Sequence, residues 1–234
     1  MKERTERAEW PAIAPTPASL PVFEYRGQLV ADSRDVAAML ERQHKHLVRS
    51  IRTYCGYLGR TKIGPSEFFI EATYLNEQNK SQPHYLLTEM GCEFVANKAT
   101  GERGTIFTAQ YVQAFHSMRD ELSRRRELRA AGKPIRRGLT DALRDSGEAE
   151  RMHGYAYSTY TDLAYRLAIG KSARQLRQER GVAKDALAVD ILTAAELEAY
   201  QRQEAAITVL LDAGMIYDNI KAALAGEEAH DALL

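Results

Sequence analysis

Cysteine is scarce in this chain: Cys55 and Cys92 are the only two in 234 residues, too few for a disulfide framework and in no metal-ligand spacing. They read as reduced thiols used as small apolar residues. Long apolar runs are missing as well, and Met1 to Glu9 is charged with no signal-peptide core behind it, so the expectation is a cytoplasmic protein with no membrane partner. An excess of one charge is also lacking, since 32 Lys and Arg balance 32 Asp and Glu. That balance excludes the wholesale basicity of histone-like proteins and a polybasic membrane anchor. Any nucleic-acid contact must come from a local patch.

Catalytic and cofactor signatures are likewise absent. Gly170-Lys171-Ser172 invites a phosphate-loop reading, but the glycine required five residues earlier is Tyr165, and no strand precedes it. The six histidines (44, 46, 84, 116, 153 and 230) show no His-x-x-x-His and no nearby cysteine pair. No serine sits in a Gly-x-Ser-x-Gly elbow, and His153 beside Tyr155, Tyr157 and Tyr160 lacks a carboxylate cluster, which points to packing or an interface. The expectation is a protein that is not an enzyme and needs no cofactor or metal.

What is present begins at Ser33. After the apolar Leu29-Val30, Asp32 or Ser33 can cap a helix with Val36, Ala37 and Leu40 inward. A turn at Glu41 to His44 leads to a second helix through Tyr54, with Leu47, Val48, Ile51 and Tyr54 at core spacing. Arg42, Lys45, Arg49 and Arg52 fall at i, i+3, i+7 and i+10, so four cations line one exposed face, with His44 and His46 at the turn. A helix-turn-helix presents its second helix to the DNA major groove, where such a face can meet phosphates and base edges. A solvated helix face would show the same pattern.

Phe68 to Leu75 and His84 to Leu87 are strand-like, and the polar stretch Asn76 to Pro83 makes them a hairpin with a longer loop and Lys80 near its tip. In winged-helix proteins such a tip cation reaches phosphates or the minor groove. Thr88 is a plausible N-cap for a helix packed by Met90, Phe94 and Val95; Gly101 to Gly104 breaks the chain; Thr108 to about Ala131 is a long helix with Tyr111, Val112, Phe115, Met118 and Leu122 on its apolar face. A charge run, Arg124-Arg125-Arg126-Glu127, then Gly132, Pro134, Arg136 and Arg137, marks a basic linker over 124–138. The second half reads as helical, with [ST]-x-x-[DE] starts at Thr159/Asp162 and Thr193/Glu196. Residues 1–22, with Pro11, Pro15, Pro17 and Pro21, read as a disordered or extended arm, and 226–234 as a frayed tail.

Ser33-Arg34-Asp35-Val36-Ala37 and Lys45-His46-Leu47-Val48-Arg49-Ser50-Ile51 resemble the start of the phage regulatory protein Rha family. The likeness continues through Phe69, Tyr74, Pro83-His84-Tyr85, Leu87-Thr88, Gly91-Cys92-Glu93-Phe94, Thr100-Gly101 and Tyr111-Val112-Gln113-Ala114-Phe115 with Met118, covering about residues 23–120. The resemblance implies a small regulator of temperate phages and prophages that binds DNA or acts on other regulators. Two departures stand out: Asn79-Lys80 replaces the family's Gly-Arg at the hairpin tip, keeping a left-handed residue and a cation but losing the bidentate guanidinium, and Ala99 replaces an apolar residue before Thr-Gly. Leu139-Thr140-Asp141, Ser146-Gly147-Glu148, Tyr160-Thr161-Asp162-Leu163 and Gly170 to Arg177 look like the C-terminal domains attached to phage Rha and antirepressor proteins. That likeness implies a helical module for oligomerisation or for contacting a repressor.

The sequence therefore predicts an α+β protein: a winged-helix-like domain (helix-turn-helix plus β-hairpin) over residues 23–123, then a mostly α-helical domain over 139–225. The expected function is transcriptional regulation through double-stranded DNA, contacted by Arg42, Lys45, His46, Arg49, Arg52 and Lys80. A homodimer or higher homo-oligomer is expected, a two-fold assembly suiting a palindromic site. The alternative is an antirepressor that captures a repressor protein without touching DNA.

Overall fold

The computed structural model describes residues 19–231, with side chains through 225. The expected N-terminal arm lies outside the described residues up to residue 18, and from Leu20, which is buried, the chain is already core. The fold is mixed α+β, and the chain divides into two compact units between Asp120 and Glu121.

The first unit is built on a four-stranded antiparallel sheet in the order β1-β2-β4-β3. Strands β1 (Val22–Tyr25) and β2 (Gln28–Asp32) form a hairpin that the sequence reading does not contain. Arg26 and Gly27 turn it with φ of 51° and 79°, the two left-handed residues that a tight two-residue loop requires. The predicted hairpin is β3 (Phe69–Leu75) with β4 (Ser81–Thr88). In its loop Asn76 Oδ1 accepts from the backbone of Gln78 (3.1 Å) and Lys80 (2.8 Å), and Asn79 takes the left-handed position at φ 58°. Pro83, which has no amide to donate, lies outside the stretch of β4 that pairs with β2.

Helix α1 (Ser33–Met39) follows β2 without a linker, because Asp32 ends the strand and caps the helix by accepting from Arg34 N at 2.8 Å. Helix α2 (His44–Leu58) runs four residues past the predicted end. Arg42 stands in the turn before α2, within the predicted Glu41–His44 turn. Thr88 caps α3 (Glu89–Ala96), accepting from Gly91 N at 3.1 Å, but Met90 is exposed and Cys92 holds the inward place expected of it.

Helix α4 (Gly101–Asp145) corrects three expectations at once. Gly104 breaks nothing: it lies within the helix, where an added Cβ would come within 2.5 Å of the Ala99 carbonyl. The inward stripe is Phe107, Tyr111, Phe115 and Met118, whereas Val112 is exposed. Residues 124–138 are helix rather than linker, and Pro134 sits inside it. Tertiary contacts explain the persistence, since Arg125 donates to the Asp190 carbonyl (2.8 Å), Gln201 Nε2 to the Leu128 carbonyl (2.8 Å) and Arg136 to Glu204 (2.8 Å).

The second unit adds α5 (Glu148–Arg151), α6 (Ala156–Ile169), α7 (Ala173–Glu179), α8 (Ala194–Asp212) and α9 (Tyr217–Asp231). Its core takes Leu139, Leu143, Tyr160, Leu163, Leu176, Leu197 and Ile207, each large apolar side chain worth about 1.5–3 kcal/mol on burial. The Thr193/Glu196 capping box forms as predicted, and a second one, Ser172/Gln175, opens α7. Thr159 caps nothing: α6 begins at Ala156, and the Thr159 hydroxyl donates back to the Tyr155 carbonyl. Helix α9 extends through Asp231, so the expected frayed tail is helical there, and 232–234 lie outside the described residues.

Candidate functional site

The inner side of α2 carries Leu47, Val48 and Ile51, all buried, and at 3.6 residues per turn this leaves Lys45, Arg49 and Arg52 on the opposite, exposed face. His46 is exposed beside them. Arg42, from the turn, reaches over to Ser50 Oγ at 3.5 Å. Gly56 extends the same stripe by one turn, with open space where a Cβ would stand. Lys80 is exposed in the β3–β4 loop, where the Asn76 side chain fixes its amide. Arg60 and Lys62 add two exposed cations just after α2, in a stretch that reads as plain connector in the sequence.

Behind the helix pair lies a polar network that periodicity does not reveal. Asp32 and Ser33, adjacent in sequence, are both buried. Arg34 grips Asp32 with Nε 3.0 Å and Nη2 2.5 Å from its carboxylate oxygens, and its guanidinium lies over the Tyr74 ring at 4.4 Å. Nδ1 of buried His84 is 3.1 Å from Asp32 Oδ2. Ser33 Oγ accepts from Tyr85 N at 3.0 Å and stands 3.0 Å from Nε2 of His44. His44, the first residue of α2, thus faces inward, rather than to the surface or to a phosphate as its place beside the cationic turn suggests. Together these contacts fasten α1, the start of α2 and β4 to one another.

The network also sets protonation states. Burial raises the Asp32 carboxyl, but contacts with His84 and Arg34 outweigh it and hold the group far below the ordinary carboxylate range. Hydrogen bonding to Asp32 pushes Arg34 further up. Burial lowers His44, which is therefore neutral at pH 7 and leaves the outward charge to the stripe.

An aromatic cluster supports the other end of α2. Tyr54 meets Phe94 of α3 at 5.2 Å between centroids, and Phe94 packs edge-on to Phe68 (5.7 Å) and Phe69 (5.8 Å). The cationic face is therefore mounted on a helix held at both ends, by hydrogen bonds at His44 and by rings at Tyr54.

Residues 31–120 match the model of the family described as phage regulatory protein Rha. Among curated proteins, the SPbeta prophage-derived protein YoqD of Bacillus subtilis strain 168, named as a candidate antirepressor, is 41% identical over 136 residues, 58% of this chain. The match covers half of that relative's own length. The matched segment runs from the end of β2 to Asp120 and contains the helix pair, the second hairpin and α3.

Proposed function

We propose that this chain is a phage-type transcriptional regulator that docks α2 against double-stranded DNA. In this reading Arg42, Lys45, His46, Arg49 and Arg52 meet phosphates and base edges, and Lys80 reaches the flanking backbone. The observation that carries it is the set of exposed cations along a helix whose opposite side is buried and whose first residue is tied to Ser33 of α1. The second half oligomerises, as a homodimer matched to a palindromic site, or receives a partner protein. The regulator works without catalysis in the cytoplasm of the bacterial host.

The test is retention of fragmented phage and host DNA by the full-length protein, compared with Arg49→Ala/Arg52→Ala. Enrichment of one promoter region by the parent protein, lost in the variant, is the expected result. Equal retention by both would remove α2 from the interface.

A second reading, antirepression by protein capture, is favoured by the relative's name and by zero net charge, which suits a protein surface at least as well as DNA. It predicts that the α2 variant still co-purifies a phage repressor while neither protein retains any DNA.

A further inference from the structure

Two adjoining cavities in the second unit share Arg136, Thr161, Ala173 and Arg177 in their walls. The first, about 500 Å³, lies among α4, α6, α7 and α8 and has an apolar, aromatic side. Tyr165 and Tyr200 stack there with centroids 4.4 Å apart, and Leu187 and Val189 line it too. The second, about 770 Å³ and more open, is edged by Arg174 and Lys221 and by the hydroxyl-bearing Tyr157, Ser158 and Thr159.

Charge accounting shows a surplus. Glu204, buried, pairs with Arg136 and accepts from the Tyr200 hydroxyl at 2.6 Å, Asp190 pairs with Arg129 at 2.6 Å, and Asp162 pairs with Arg166 at 2.9 Å. Lys133, Arg174, Arg177 and Lys221 have no carboxylate within ion-pair reach among the described residues. Arg177 is nonetheless held in place, donating to the Ala186 carbonyl at 2.7 Å. In a chain of zero net charge, four cations without a carboxylate partner among the described residues, around a recess of two cavities that share four wall residues, make a local anionic demand.

We infer that this recess binds an acidic segment of a partner protein that also carries one large apolar side chain. The carboxylates meet Lys133, Arg174, Arg177 and Lys221, and the apolar side chain enters between Leu187 and the Tyr165–Tyr200 pair. The volume is that of a side-chain or small-ligand pocket. A DNA duplex is too wide to enter it and offers no such apolar group, so the recess suits a peptide rather than a phosphate backbone. The inference stands whether or not α2 meets DNA.

The experiment pans a random peptide library on the immobilised full-length protein, on Lys133→Glu/Arg174→Glu and on Leu187→Ala, all three first checked for an unchanged circular dichroism spectrum and melting temperature. These side chains are at the surface or the rim, so the variants leave the core intact. Expected is enrichment of peptides combining Asp or Glu with an aromatic or Leu, bound at least tenfold more weakly by the charge-reversed protein and several-fold more weakly by Leu187→Ala. Enriched peptides without acidic residues, or acidic peptides bound equally by parent and charge-reversed protein, would overturn it. So would loss of DNA retention in the charge-reversed protein with no peptide enrichment on the parent, which would reassign the recess to phosphates. Arg49→Ala/Arg52→Ala, run in parallel, should bind the selected peptides normally, so that failure here and failure of the α2 reading are told apart.

Discussion

Replacing Asp32 by asparagine keeps an oxygen to cap α1 but removes the charge that Arg34 and His84 face. Breaking a buried pair in this way costs about 3 kcal/mol. Because the folded-state pKa of Asp32 is depressed, its contribution is present above the unfolded value near pH 4 and is lost as pH falls below it. The parent protein should therefore lose stability steeply below about pH 4 in denaturant titrations, and Asp32→Asn should be weaker at pH 7 with a flatter profile there. An equal acid slope in both would show that other carboxylates govern acid unfolding. Gly56 calls for the opposite change. Its Cβ position is empty and its backbone helical, so Gly56→Ala should stabilise the protein by about 0.5–1 kcal/mol in thermal melts. Of these residues, the cap at Asp32 is legible in the sequence because capping is a local rule. Its partner His84 is not, since nothing near position 84 indicates which side chain the fold brings to it.

Among the elements, two helical glycines separate strict close approach from mere proximity. A Cβ on Gly91 would stand 2.1 Å from the Phe68 carbonyl oxygen, and backbone cannot swing away. Gly91→Ala should cost about 1–3 kcal/mol. At Gly132 the obstacle is the Gln201 amide, 2.2 Å off, on a side chain that can rotate out. There the gain of about 1 kcal/mol in helix propensity offsets the lost bond to Leu128, so Gly132→Ala should be nearly neutral. A melting-temperature comparison of the two reads the difference directly. Pro134 belongs to the same scale. Interior proline costs a helix about 3 kcal/mol, and release of the unfolded chain returns less than about 1, so Pro134→Ala should stabilise by about 2 kcal/mol. Destabilisation would mean that the missing amide shapes the packing around α8. The sequence signals for a linker here, charge, glycine and proline, are real. They are outweighed by partners 65 to 73 residues away, which no local pattern displays. The first hairpin escaped for a different reason: its strands are short, and Arg26 is not a residue that advertises a left-handed turn.

For the whole molecule, if α2 docks on DNA as proposed, zero net charge makes that affinity a property of one face, with a modest dependence on salt. Four phosphate contacts give a slope of about −3 to −4 in log affinity against log salt, and Arg49→Ala/Arg52→Ala should flatten it by about two units. An unchanged slope would place the contacted phosphates elsewhere on the surface. The stripe itself is legible because charge and helical period lie in the same short segment. The recess in the second half is not, because Lys133, Arg174 and Lys221 come from three helices with nothing in their spacing to connect them. The sheet order carries one last consequence, for synthesis. Strand β2 lies between β1 and β4, so its second neighbour leaves the ribosome more than fifty residues after it, and the Ser33–Tyr85 bond closes a separation of 52. Until β4 has emerged, α1 and α2 have their own sequence but not the surface that orients them. A nascent chain truncated before β4 would display the basic residues without the scaffold that aligns them, so the cationic face is assembled only once most of the first unit has been translated.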